Sequence, residues 1–538
     1  MIRKLLTGMF ALTASLSATA AHAEWHKATS NNFIVYSDGS ASDAREFAAK
    51  LERFHYVLRT FHRISAPTVP NRLRVFLLSS AGAVGRTVNS SGVAGYYVPS
   101  ARGLMLVGTR ARGGSGDGDL RSAQSQANLD PESILLHEYT HHFMYQYFPA
   151  AYPTWYSEGF AEFWGATNFL PNDVVEVGGS AEHRFATFRA LGWLPLERLL
   201  RIHNYREAGG ANVFLLYAQG WLLVRYTFEN QTRQQQLQTY LRLINGGTDY
   251  AEAARRAFPD LDRFNSELFS YAGRGRFDVV RLPFRTIDVG PIELTTPGPA
   301  EQALMMQEMK LSRGYPQREA TEFAAEVRGI AARFPNDPFA LRMVMETAYL
   351  ANDTAAALDA ANRLLAIEPN HARALATKGM IQVAGLAAAG NRDAAAWNAA
   401  REPLARARRA APRDPIVLRA FYRGFAMQGG LPPEEAQNAL YDAMELAPSD
   451  GEIRYELARD FEQRRMIPEA IAVIRPEANS SVDHSNESES ERRRREEQEE
   501  RNRQAGTTRH ETPLEMLRRL QGLLSPQDRQ RQEEAGSN

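Results

Sequence analysis

Residues 137–141 read His-Glu-Tyr-Thr-His, and a second run, Glu-Gly-Phe-Ala-Glu, opens at Glu158. On an α-helix, positions four apart lie on one face, so a helix through 137–141 would put the two histidines side by side. On that helix His137 and His141 present two imidazoles to one metal ion. Glu158, brought in from a second helix, would supply the third ligand of a catalytic zinc site, which requires the two helices to meet at the histidines. Glu138 lies roughly a quarter-turn away on the same helix, within reach of a water at the metal's open position.

The rest of the chain sets the frame for this constellation. With 538 residues it exceeds one ordinary core, and two or three domains are expected. Hydrophobic residues make up 44% and charged residues 23%, a normal globular composition. The 63 basic residues equal the 63 acidic ones, so the overall charge argues for no nucleic-acid or membrane-surface partner. At the N-terminus, Arg3 and Lys4 precede an apolar stretch over 5–16, and Ala21-His22-Ala23 offers a small-x-small cleavage site. Residues 1–23 read as a secretory signal peptide, which makes the mature protein exported, periplasmic or secreted. No later segment reaches the length of a transmembrane segment, about 18 apolar residues. The chain has no cysteine, so packing and the metal, rather than disulfides, would stabilise it, and no lipid-anchor cysteine follows the signal.

Residues 24–276 read as one mixed α and β domain. Strands are expected over 32–37 and 72–78, where β-branched and aromatic residues cluster, with an amphipathic helix over 41–61 between them. Residues 94–97 and 103–107 suggest a hairpin whose second strand, Leu-Met-Leu-Val, lies at the sheet edge. The polar, glycine-rich stretch 111–128 reads as a loop. Asp130-Pro131-Glu132 then combines an N-cap carboxylate, a proline at the first helical position and a first-turn acid. That helix should carry the histidines and end near Pro149. Further helices are expected from about Ser157 and over 213–228. Residues 277–299 read as an extended linker.

From 300 to 477 the chain is alanine-rich, helical and punctuated by FPND, EPNH, APRD and APSD, whose prolines fall at 335, 369, 412 and 448. Two of the three spacings lie close to the 34-residue period of tetratricopeptide repeats, and the middle one implies an insertion near 387–392. Gly424, Ala436, Leu440 and Ala443 occupy small and apolar repeat positions, with Gly379 and Ala458 in the equivalent first-helix slot. The segment resembles about four such repeats; an ordinary helical bundle is the alternative. Residues 478–538, rich in Ser, Glu, Arg and Gln, read as a disordered charged tail, interrupted by an amphipathic piece over 514–524 suited to docking on a partner.

His-Glu-Tyr-Thr-His, followed by Trp155-Tyr156-Ser157-Glu158-Gly159-Phe160-Ala161-Glu162, resembles the gluzincin metallopeptidases. It is most similar to bacterial peptidase-MA-like domains, which often carry tetratricopeptide repeats. The resemblance implies an α+β zincin-like catalytic domain followed by an all-α helical-repeat domain. It also implies Zn2+ held by His137, His141 and Glu158, with Glu138 as the general base that takes a proton from water and passes it to the leaving amine. Glu162 would orient a ligating histidine, or would be a helix-surface glutamate. Tyr217, in Tyr-Ala-Gln-Gly, matches a tyrosine that stabilises the tetrahedral oxyanion in the aminopeptidase branch; a core tyrosine is the alternative. His142, His183 and His203 lack partners at ligand spacing and read as structural or surface residues. Trp155 and Tyr156 are expected to pack the entry to the second helix.

The separation between His141 and Glu158 is shorter than in typical aminopeptidases. The Gly-x-Met-Glu-Asn segment that recognises a free amino terminus has no counterpart before the motif. The first implies a tighter connection between the helices, and the missing anchor favours an endopeptidase acting on protein or peptide substrates, with a protein partner or substrate recruited on the repeats. Two other readings are a repeat-based scaffold with a vestigial zinc domain and a zinc hydrolase of a non-peptide bond.

Overall fold

The computed structural model describes residues 24–65, 71–110 apart from 89, 91 and 92, 131–202 apart from 180 and 181, 205–274 apart from 211, 277–284 apart from 278, 287–480, and 511–528 apart from 526. The signal-peptide reading of 1–23, the loop reading of 111–128 and the charged run 481–510 lie outside these residues.

The N-terminal half is built on a six-stranded mixed sheet. Its strands are β1 (His26–Thr29), β2 (Phe33–Ser37), β3 (Leu73–Leu78), β4 (Gly95–Val98), β5 (Met105–Thr109) and β9 (Glu293–Thr295), in the order β4-β5-β3-β2-β1-β9. β2, β3 and β5 run parallel, and parallel neighbours need a crossover. Between β2 and β3 that crossover is α1 (Ala41–Phe61), started by a Ser40/Asp43 capping box. Alternation along the strands divides the side chains between two faces. Val35, Val75 and Leu106 pack under α1 and α3 (Pro131–Tyr147), against Leu51, Phe54, Leu135 and Tyr139. Tyr36, Phe76, Met105 and Val107 pack on the other face with α2 (Ala81–Val88) and with Met305 and Met309 of α12 (Pro299–Arg313).

The hairpin over 94–107 forms, with Tyr97 opposite Leu106, but the edge assignment is corrected. β4 is the edge, antiparallel to its neighbour, whereas Leu106 and Val107 of β5 are fully buried between β4 and β3. The continuous apolar run Leu-Met-Leu-Val is what a strand covered on both faces needs.

α3 is followed by α4 (Thr154–Gly165) and a three-stranded antiparallel sheet of β6 (Asn168–Phe169), β7 (Val174–Val177) and β8 (Val280–Pro283). Between β7 and β8 run α5 (Glu182–Leu191), α6 (Leu196–Arg201), α7 (Tyr205–Ala208), α8 (Asn212–Glu229), α9 (Gln231–Asn245), α10 (Tyr250–Ala257) and α11 (Leu261–Ala272). Two parts of the 277–299 segment work as sheet rather than as a free tether: β8 completes the small sheet, and β9 pairs with β1.

Beyond α12, helices pack mostly in successive pairs: α13 (Ala320–Ala331), α14 (Pro338–Leu350) with α15 (Thr354–Ile367), α16 (Ala372–Ala388) with α17 (Ala394–Ala410), α18 (Pro415–Ala426) with α19 (Glu434–Leu446), and α20 (Gly451–Gln463) with α21 (Ile467–Ser480). The proline punctuation marks the start of each pair. Proline blocks continuation of the preceding helix, and the residue two positions on is the next N-cap. Asp337 accepts from the Phe339 and Ala340 amides, Asp414 from Ile416 and Val417, and Asp450 from Glu452 and Ile453, while His371 takes the same place before α16. The extra residues of the second pair lengthen both members, α16 and α17 having 17 residues each against 12 to 14 in the other pairs. The stretch 387–392 is the tip between them. Gly379 and Gly424 both close on Leu404: an added Cβ would lie 2.6 Å and 2.3 Å from its side chain.

The expectation of a disordered charged tail with an amphipathic piece docking on a partner is corrected for 511–528. α22 (Pro513–Gly522), with a Thr512/Glu515 capping box, docks on α21 and buries Met516, Leu517 and Leu520 in the core of this chain's own helical array. Its amphipathic face was legible; its partner is the same chain. Among the described residues no helix is long and apolar enough to cross a membrane.

Candidate metal centre

α3 begins at Pro131, its predicted N-cap Asp130 lying outside the described residues. Leu135, Leu136, Tyr139 and Phe143 bury one side of α3 in the sheet core, which turns His137 and His141 to the other side. α4 starts at Thr154, three residues earlier than the sequence suggested. Trp155 is wholly buried against Tyr156 and Tyr240 and anchors that first turn.

Glycines set how closely the three site helices cross. A Cβ on Gly165 would stand 3.0 Å from the His137 Cβ, so α4 ends directly against α3. A Cβ on Gly159 would stand 2.2 Å from the Gly220 carbonyl carbon, and one on Gly220 would stand 2.1 Å from the Trp155 carbonyl oxygen. α4 and α8 are therefore in backbone contact beside Glu158. The Gly of Glu-Gly-Phe-Ala and the Gly of Tyr-Ala-Gln-Gly face each other across that contact, which brings the neighbouring Glu158 and Tyr217 to one site.

The three proposed ligands converge. His137 Nε2 lies 3.2 Å from His141 Nε2 and 3.2 Å from Glu158 Oε2, and His141 Nε2 lies 3.5 Å from the same oxygen. A tetrahedral zinc with N and O ligands at about 2.0–2.2 Å separates its donor atoms by about 3.3–3.6 Å, and this triangle comes close to those dimensions. Two nitrogens and one carboxylate oxygen also form a borderline-hard set suited to zinc. Among the described residues this is the one His/Cys/Asp/Glu group arranged to hold a metal.

The surroundings favour a cation. Burial alone would depress the His137 imidazolium, but Glu158, Glu162 and Glu138 outweigh it and push its pKa up to about 9. Burial likewise opposes ionisation of Glu158, yet His141 and His137 hold its carboxyl well below the usual range. Glu162 Oε1 stands 3.4 Å from His137 Nδ1, on the ring nitrogen opposite the one turned to Glu158. That is where a carboxylate fixes a ligating histidine's tautomer.

Glu138 is half-buried, and burial pushes its carboxyl upward against the pull of His137 and His141. The backbone amide of Tyr97 on the β4 edge strand acts with those histidines to favour its charged form. β4 thus borders the site: a Cβ on Gly95 would meet Ile134 and come within 3.6 Å of the Glu138 Cγ. The Tyr217 ring lies nearly parallel to His137, with centroids 6.4 Å apart and planes inclined by 21°. It is half-buried rather than a core tyrosine.

His142 is turned away from the cluster, buried, and bonded through Nδ1 to the Tyr97 hydroxyl at 3.0 Å; burial pushes its pKa down to about 3. It is structural, as the spacing suggested. His183 falls in α5, with nothing described of its side chain, and His203 lies outside the described residues. Tyr145 was missed by the sequence reading. It continues the 137, 141 spacing by one more turn, and burial with the nearby Glu158 charge pushes its phenol up to about 12. The four-residue spacing was the available signal. No protein-family model and no curated protein matches this chain, so its functional reading rests on the geometry of His137, His141 and Glu158 and on the groups around them.

Proposed function

We propose that the protein is an exported zinc-dependent peptidase of gluzincin type, an endopeptidase, with tetratricopeptide-like helical repeats that recruit substrate or partner proteins. The observation that carries this reading is the 3.2–3.5 Å triangle of His137, His141 and Glu158 donor atoms with Glu138 one residue along the same helix. When bound, the zinc supplies Lewis-acid polarisation of the scissile carbonyl and acidifies water.

The chain's own groups do the rest. His137, His141 and Glu158 would hold the ion, and Glu162 would fix the His137 ring by facing its Nδ1. Glu138 takes the proton from the attacking water and delivers it to the amine nitrogen of the leaving strand. Tyr217, across the site on α8, donates its hydroxyl to the oxyanion without competing for the metal. Among the described residues no strand pairs with the outer side of β4, which suits an extended peptide laid alongside the site. Among the described residues, β4 itself carries no carboxylate to grip a free amino terminus, in keeping with internal cleavage.

The test is proteome-wide cleavage profiling with the mature wild-type chain and with Glu138→Gln. New internal termini are expected with wild type alone. Identical cleavage patterns from both would overturn the mechanism, and stoichiometric zinc without any cleavage would favour a repeat scaffold.

A further inference from the structure

The helical array returns to the metal domain at its far end and grips it behind the ligand helices. α9 ends at Asn245, and the turn that follows runs through Gly246 and Gly247, the latter at φ +94°. That turn lies against the array's last two helices. A Cβ on Gly247 would lie 3.4 Å from Arg475 Nη2 on α21 and 3.5 Å from Gln521 Nε2 on α22. The Arg475 guanidinium donates through Nη1 to the main-chain carbonyl of Asn245. A carbonyl in the last turn of a helix has no partner within the helix and lies at the negative end of its dipole, so a cationic donor suits it. Burial pushes the Arg475 pKa down, and a guanidinium is costly to withdraw from water unless such acceptors are offered to it.

The Asn245 side chain makes the next link. Its Oδ1 accepts from the Ala151 amide at 2.8 Å and its Nδ2 donates to the Ala151 carbonyl at 3.0 Å, so one side-chain amide holds both main-chain groups of one residue. Ala151 is buried, and it sits within residues 148–153, the connection between α3 and α4. α3 carries His137 and His141, and α4 carries Glu158. Pro149 and Pro153 fix a backbone φ on either side of Ala151, and the Tyr152 hydroxyl closes the stretch on the Phe148 carbonyl at 2.8 Å. A connection this stiff passes a displacement on to the helices instead of absorbing it. The contact of Gly159 with Gly220 fixes where α4 crosses α8, and Asn245 fixes where the chain turns from α3 into α4.

We propose that Arg475 is a positioning residue for the metal centre: from the helical array it holds Asn245, Asn245 holds the α3–α4 connection, and the connection sets the two histidines against Glu158. The proposal rests on the reading of His137, His141 and Glu158 as a metal site. The array stays docked without Arg475, because it is fastened at other points of the interface. The Ala101 amide donates to Asp450 Oδ2 at 2.8 Å, and Arg74 is held by Glu308 at 2.5 Å and Ser312 at 2.7 Å. Arg475 therefore acts on one joint rather than on the whole interface, and the array is part of the frame of the centre rather than an appendage to it.

The test measures two quantities on the full mature chain: hydrogen exchange of the Ala151 amide in the metal-free protein, and the zinc dissociation constant. Arg475→Ala is expected to speed that exchange about tenfold and to raise the dissociation constant about tenfold, the lower end of what groups behind a metal's ligands contribute. Arg475→Lys, which keeps a cationic donor, is expected to restore most of both. Asn245→Ala breaks the same chain at its other link, is expected to match Arg475→Ala, and decides the matter if that variant does not fold. Asp337→Ala loosens the array at a cap in another helix pair and is expected to leave both quantities at wild-type values. Unchanged Ala151 exchange or unchanged zinc affinity in folded Arg475→Ala would overturn the proposal, as would equal losses in Asp337→Ala. Wild type that binds no zinc would overturn the metal centre and this proposal with it. Tight zinc binding by wild type, Arg475→Ala and Asn245→Ala alike would overturn this proposal alone.

Discussion

The helices around the metal centre and the helices of the C-terminal array are built from similar lengths of chain, yet they are held by different means. At the centre, α3, α4 and α8 meet through backbone contact at Gly159 and Gly220, with no side chain between to take up an error. In the array, the nearest atoms to Gly379 and Gly424 belong to the side chain of Leu404, and each pair is started by its own cap. The centre is therefore a single device that works or fails as a unit, whereas the array is a sum of local terms.

The contrast can be broken most sharply at Glu138. Glu138→Gln is expected to lower peptide cleavage by about 10²–10⁴-fold, the usual range for a lost general base, while the thermal midpoint stays near that of wild type. Cleavage kinetics beside a melting curve measure both.

The glycines test it next. Gly159→Ala places a methyl 2.2 Å from the Gly220 backbone and is expected to cost about 3 kcal/mol or more, because neither helix can yield separately. Gly379→Ala meets Leu404 atoms that can rotate away, and a cost of about 1 kcal/mol is expected. Equal losses in chemical denaturation would remove the distinction.

Glu308 joins the two regions and carries a pH signature. Its burial would raise the pKa, but Arg342 and Arg74 outweigh that and hold it at about 2, below the ordinary 4.5. A depressed acid contributes stability above its unfolded pKa and loses it as pH falls from about 4.5 towards 2. The contribution near neutrality is on the order of 3 kcal/mol. Glu308→Gln is expected to destabilise at pH 7 and to flatten the acid limb of the stability profile; an unchanged slope would contradict this.

The smallest effect belongs to a single cap. Asp337→Ala is expected to cost about 1 kcal/mol, read from the denaturation midpoint, with zinc content and cleavage unchanged.

The same contrast explains what the sequence made legible. Ligand spacing is a local property, so His137 and His141 could be placed on one face from their positions alone. The proline punctuation at 335, 369, 412 and 448 was visible for the same reason, although the capping role of Asp337, Asp414 and Asp450 beside it was not read. Glu158 and Tyr217 depended on resemblance, because what joins them to the histidines is a contact between glycines 61 positions apart, as the residue numbers 159 and 220 show. The edge strand was misplaced because Leu-Met-Leu-Val looks the same at an edge or inside a sheet, and only the β3–β5 pairing decides it. The docking of α22 was invisible because amphipathicity reveals that a face needs covering, not what covers it.

The central claim is that His137, His141 and Glu158 form one zinc site. Metal analysis of the purified mature chain, alongside His137→Ala and Glu158→Ala, tests it most directly. One zinc per chain is predicted for wild type, with loss of most of it in each variant that remains folded. Zinc absent from the wild type after incubation with the metal, or retained at full stoichiometry by both variants, would contradict the account.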